Sequence, residues 1–224
     1  MDVSRSDRWI IFGYVCLNIF IVAAVRIDPG FGMQLLQEDQ FVENITSIAL
    51  FLGAIYVLYK CVKNISSKNY LAGFFQLFVA FALIFMAGEE ISWGQRIFHW
   101  QTTGLFKKDN LQGETNFHNL KINGVKLNKV IFTYAFTAIG AFVFVICPYL
   151  YKKYTGFKNF VNQFGCPLPG YKHSLFLLIG LLFVLLIPDE SKKWELWECD
   201  AALIIFWTMI RPLNLDVIYR RFKG

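Results

Sequence analysis

Charge is what this sequence has least of. Of its 224 residues, 17% are charged and 56% apolar, whereas soluble domains run to about a quarter charged and 45–50% apolar. A soluble core is therefore not the expectation. Histidine is scarce as well, at three residues, which argues against a multi-histidine zinc site. The sequence holds no H-E-x-x-H, no G-x-S-x-G and no Walker loop, so the short signatures of zincins, serine hydrolases and P-loop NTPases are all missing. The cysteines Cys16, Cys61, Cys147, Cys166 and Cys199 contain no C-x-x-C pair and read as small apolar residues rather than a redox or metal site. No internal repeat or low-complexity segment interrupts the chain.

Apolar runs are what the chain has in quantity. Phenylalanine alone accounts for 24 residues, and the mean hydropathy is +0.44. A bilayer-crossing helix needs about twenty mostly apolar residues. Six segments meet or approach that length: Trp9–Ile27, Phe41–Tyr59, Tyr70–Glu89, Lys129–Tyr149, His173–Pro188 and Leu196–Ile210. The expected fold is an all-α, polytopic transmembrane bundle forming one integral membrane domain over residues 1–224, with a polar outer loop at 92–127. The first span is read as a retained anchor, because Arg26-Ile27-Asp28-Pro29 offers no small-residue cleavage site.

The net charge of +6 fits membrane orientation better than nucleic acid, because the basic residues cluster just outside the apolar runs. With the N-terminus inside, the inner segments hold thirteen Lys and Arg and the outer segments seven. Both termini are therefore expected in the cytoplasm. The expected location is a bacterial inner (plasma) membrane, with the chain in multi-pass form.

Ionisable residues at membrane depth are costly and usually mark function. Here they gather around the end of the third span, at Gly88-Glu89-Glu90-Ile91-Ser92-Trp93-Gly94-Gln95-Arg96. If that helix continues, Glu89, Ser92, Trp93 and Arg96 share one face. The loop that follows packs Asn110, Gln112, Glu114, Asn116 and His118 into one short stretch, dense in amides and poor in ordinary solubilising charge. The six-span topology brings Glu43, Glu89, Glu90, Glu195, Glu198 and Asp200 to the same membrane level. Carboxylates so placed repel unless Arg96, a cation or shared protons compensate. Blander roles compete for some of these residues. Glu89 and Glu90 could mark the water interface, and Trp93, Trp100, Trp194 and Trp197 read as interfacial aromatic anchors. His99 reads as an interfacial residue and His173 is given no role.

Glu89-Glu90 followed by Arg96, with His118-Asn119 further on, resembles the CAAX-type intramembrane proteases, in which a Glu-Glu pair precedes an Arg on one span and a His and an Asn come from others. The spacing departs from Glu-Glu-x-x-x-Arg, since five residues separate Glu90 from Arg96, and His118 falls in a loop. No family role passes to these residues. From the residues themselves, the first expectation is an intramembrane enzyme acting on a lipid or lipid-linked substrate. Glu89 or Glu90 would be its base, His118 a second acid/base group or metal ligand, and Arg96 the anion holder. Glu114, Asn116, Asn110, Gln112, Ser92, Glu43 and Glu198 would bind substrate or ion. An ion or proton transporter or channel subunit is the second expectation, and a non-catalytic sensor or scaffold docking another membrane protein the third. The expected partners are membrane lipid, a metal cation, and a second copy or another membrane subunit. No cofactor can be named.

Overall fold

The computed structural model describes residues 4–219 apart from 39, 111–112, 118–119, 123–124, 127–133 and 190–191. The chain is an all-α helical bundle. Helix α1 (Arg5–Ile27) opens on a capping box. The Asp7 amide donates to Ser4 Oγ (3.2 Å) and the Ser4 amide to Asp7 Oδ2 (3.0 Å), satisfying two amides that a helix start leaves without partners. Pro29 then opens the short α2 (Pro29–Leu35), with Asp28 accepting from the Phe31 amide. Helices α3 (Phe41–Ser66) and α4 (Tyr70–Glu90) form an antiparallel pair.

After α4 come a single 3₁₀ turn (Ser92–Gly94), α5 (Gln95–Phe98), α6 (Gly104–Asp109), and a two-residue ladder in which β1 (Lys121–Ile122) pairs antiparallel with β2 (Val125–Lys126). Helix α7 (Phe136–Ala141) runs through a π turn (Phe142–Ile146) into α8 (Cys147–Lys153). The short α9 (Thr155–Gln163), then α10 (Tyr171–Leu185), α11 (Lys193–Ile210) and α12 (Leu215–Ile218) complete the chain.

Four helical stretches are long and apolar enough to cross a membrane: Arg5–Ile27, Phe41–Ser66, Tyr70–Glu90 and Phe136–Lys153. Tyr171–Leu185 is a shorter apolar helix. The surface is that of a membrane protein turned outward, with Phe12, Phe78, Phe81 and Leu182 between 62% and 71% exposed. In water such a surface would be an aggregation hazard; against acyl chains it costs nothing. Between α3, α4 and α11 the buried residues include five alanines, Ala49, Ala54, Ala80, Ala87 and Ala202, beside Leu50, Val57, Leu83 and Met209. Lipid tails are as apolar as leucine, so close backbone approach, rather than hydrophobic burial, has to hold these helices together.

Helix α11 departs from the apolar pattern. It carries Lys193, Glu195, Glu198 and Asp200, and packs against α3 on one side and α10 on the other. The sixth expected span began at Leu196; the helix starts at Lys193. Likewise α1 starts at Arg5, ahead of Trp9, because its capping box sits on Ser4 and Asp7. The expected fourth span began at Lys129, and the first part of that segment lies outside the described residues.

Pro148 explains a detail of that fourth helix. Proline has no N–H and cannot bond to the carbonyl four residues back. That carbonyl belongs to Phe144 and accepts instead from Ser174 Oγ on α10. At membrane depth such a side-chain substitute is the usual way to satisfy a freed carbonyl.

Candidate functional site

The third helix does not continue through Ser92. α4 ends at Glu90, and Ser92 and Trp93 take left-handed conformations, φ 46° and 55°. Neither is glycine, so each conformation costs on the order of 1 kcal/mol or more and needs fixing by its surroundings. The surroundings do fix both. Ser92 Oγ donates to Glu114 (2.8 Å) and accepts from Asn116 Nδ2 (2.9 Å). Trp93 Nε1 donates to Glu89 Oε1 at 2.8 Å. The indole then lies across Gly88, where an added Cβ would stand 2.8 Å from the ring. The expected one-face array of Glu89, Ser92, Trp93 and Arg96 is therefore replaced by a folded turn, although Glu89 and Trp93 still meet.

The polar loop folds back over this turn. Asn110 Nδ2 donates to the Asn116 carbonyl and side chain, both at 3.0 Å, and Asn110 Oδ1 accepts from the Glu114 amide at 3.0 Å. Asn116 Nδ2 donates to Glu114 Oε2 at 2.7 Å. The Phe117 amide donates to Glu89 Oε2 at 2.6 Å. Gln95 adds a brace from α5, accepting from the Thr115 amide at 2.7 Å and donating to Thr102 at 2.7 Å. Phe85, Trp93, Phe106 and Phe117 close an aromatic cover over it. Glu89, Ser92, Asn110, Glu114 and Asn116 are all buried. They form one connected latch, and its bonds are largely spent on one another.

Glu90 belongs to a different group. It lies within electrostatic reach of Glu198, Glu43, Glu195 and, more weakly, Glu89. Glu198 in turn feels Glu195 and Glu43. These carboxylates come from the start of α3, the end of α4 and the start of α11, all partly buried apart from the buried Glu89. Lys192 is a cation that reaches both Glu43 and Glu195, and it also bonds Glu38 at 3.2 Å. Among the described residues, no three His, Cys, Asp or Glu side chains are arranged to hold a metal ion. The expected convergence of Glu43, Glu90, Glu195 and Glu198 is thus present. Asp200 is not part of it; it sits deeper on α11 and turns toward α1, where it accepts from Asn18 at 2.8 Å.

His118 and Gln112 lie outside the described residues, as does the side chain of Arg96, whose backbone is in α5. The opposite end of the bundle holds a further polar group that the sequence reading passed over. Asp7, 1% exposed, accepts from Trp207 Nε1 at 2.7 Å and pairs with Lys172 at 2.9 Å and Arg211 at 3.8 Å. Beside it the His173 ring packs on Trp207, and its Nδ1 accepts from the Gly170 amide. A signal for this face existed: Asp7, Tyr14 and Asn18 follow helical spacing, seven and four residues apart, and so fall on one side of α1.

Compared with known proteins, the sequence matches no family model and no curated protein, and the fold matches no solved structure.

Proposed function

We propose that this is a multi-pass membrane protein of the transporter or channel-subunit class, whose working site is the carboxylate cluster Glu43, Glu90, Glu195 and Glu198. The observation that carries this reading is their convergence from three helices at one end of the bundle. Like charges held together at a membrane edge are stabilised by whatever positive charge enters among them. The occupant this proposal takes is a proton or a monovalent cation, whose single charge a group of converging carboxylates can hold. We place this end outside and both termini in the cytoplasm, on the thirteen-to-seven distribution of basic residues. We assign the protein to a bacterial inner membrane, with lipid as its surrounding partner.

The enzyme reading depends on the same carboxylates. Glu89 is engaged by Trp93 and the Phe117 amide, which leaves Glu90 as the better base for lipid chemistry. One experiment separates the two. The purified chain, reconstituted in phospholipid vesicles, is assayed for proton and monovalent-cation flux, and for lipid turnover. Flux that falls at least tenfold in Glu90→Gln and Glu198→Gln, with lipids unaltered, supports the proposal. Lipid turnover without flux, lost in Glu90→Gln, replaces it with the enzyme. If neither activity is present in the intact chain, the docking subunit remains.

A further inference from the structure

Away from both ends, the middle of the bundle holds one carboxyl group that no lysine or arginine meets among the described residues. Asp200 is fully buried, as is Asn18. The Asn18 amide spends one N–H on Asp200 Oδ1 at 2.8 Å and directs the other toward the Tyr14 carbonyl at 3.1 Å. The Tyr14 hydroxyl spends its single proton on the Phe176 carbonyl of α10 at 3.0 Å. Asp200 Oδ2 meets no hydrogen-bond partner among the described residues, nor does Asn18 Oδ1. Yet Oδ2 is not remote from polar atoms. A Cβ added at Gly180 would collide with both the Tyr14 hydroxyl oxygen and Asp200 Oδ2, so the two oxygens crowd the same spot on α10.

An anionic Asp200 would make the single proton of the Tyr14 hydroxyl serve two acceptors, the Phe176 carbonyl and the carboxylate, with no cation beside the charge among the described residues. Such an arrangement is costly in a dry interior. A proton on Oδ2 ends that competition. The neutral acid donates from Oδ2 to the lone pair of Tyr14, while Oδ1, now the carbonyl oxygen, keeps the bond from Asn18. Asn18, Asp200, Tyr14 and the Phe176 carbonyl then form one chain in which each donor has an acceptor. We propose that Asp200, held by Asn18 and set against Tyr14, is a proton-binding site in the core of the bundle. The titratable groups facing it are Tyr14 from α1 and Cys199 from its own helix; α10 presents Gly180 and the backbone of Phe176.

Infrared spectra of the full chain in phosphatidylcholine vesicles, taken in light and heavy water at neutral pH, test the proposal. A protonated carboxyl band is expected in the native chain, lost in Asp200→Asn and kept in Glu90→Gln and Glu198→Gln. In Tyr14→Phe the band should remain but move to higher frequency, because its acceptor is gone; this variant decides the matter if Asp200→Asn fails to assemble. A spectrum unchanged by Asp200→Asn, or a band indifferent to Tyr14→Phe, overturns the site. So does a band abolished by added sodium chloride, since a metal cation would then be the occupant. The Glu90 and Glu198 variants lower flux at least tenfold under the proposed function without touching this band, so the two readings fail separately.

Discussion

The two ends of the bundle handle buried carboxylates in opposite ways. At one end Asp7 is saturated: its Oδ1 takes Trp207, Lys172 and Arg211, and its Oδ2 takes the Ser4 amide and hydroxyl. These partners tie the start of α1 to the start of α10 and the end of α11. At the other end Glu43, Glu90, Glu195 and Glu198 lie within electrostatic reach of one another, with Lys192 as a nearby cation among the described residues. A carboxylate supplied with its full set of donors locks helices together. A group of carboxylates supplied with each other favours an incoming positive charge. The first arrangement belongs to architecture; under the proposed function the second serves exchange with the surroundings.

If that contrast is right, removing charge should have opposite consequences at the two ends. Asp7→Ala leaves Lys172, Arg211 and the Trp207 N–H without their acceptor and should cost about 3–5 kcal/mol, as for other broken buried pairs. Thermal unfolding in detergent or nanodiscs would read this, and a loss below about 1 kcal/mol would reduce the network to a surface ion pair. Asn116→Ala comes next. It strips Ser92 and Glu114 of a shared donor and should cost about 1–3 kcal/mol. Its signature would be faster proteolysis within the Asn110–Phe117 loop while α3 and α4 stay intact. Glu198→Gln is expected to have the opposite sign. Removing one charge from the cluster should leave stability unchanged or raise it by up to about 1 kcal/mol. A loss as large as that of Asp7→Ala would make the carboxylate end structural and erase the contrast.

Much of the architecture was legible from local signals, because a run of twenty apolar residues announces a span wherever it packs. The meeting of Glu43, Glu90, Glu195 and Glu198 followed from topology alone: antiparallel spans bring the start of α3, the end of α4 and the start of α11 together. The break after Glu90 was not legible. Ser92 and Trp93 carry no local mark of left-handed backbone, and their conformation is set by Glu114, Asn116 and Glu89, two of which lie more than twenty residues downstream. Asp200 was misplaced for a related reason. Its partner Asn18 is 182 residues away, and from sequence its proximity to Glu198 is the stronger cue. The polar stripe on α1 was available, yet a stripe says only which residues share a face and not what they meet.

The contrast has a smaller and slower reporter in Cys166, at the Asp7 end of the bundle. The loop carrying it is tied down by Asn214, whose Nδ2 donates to the Cys166 carbonyl at 2.9 Å and whose Oδ1 accepts from the Leu168 amide at 3.2 Å. Burial pushes the Cys166 thiol up to about 12. Thiolate is the reactive form, so reactivity is suppressed at neutral pH and returns only as the pH climbs toward that value. A thiol held that high is almost entirely protonated at neutral pH. In a chain whose other four cysteines are replaced, maleimide labelling at neutral pH should therefore be far slower than for an exposed cysteine. Asn214→Ala should speed it about tenfold by lowering the cost of local opening, without moving the global unfolding transition by more than a few degrees. Labelling as fast as free cysteine in the native chain would mean that this end is open to water, and the idea of one closed end and one exchanging end would fail with it.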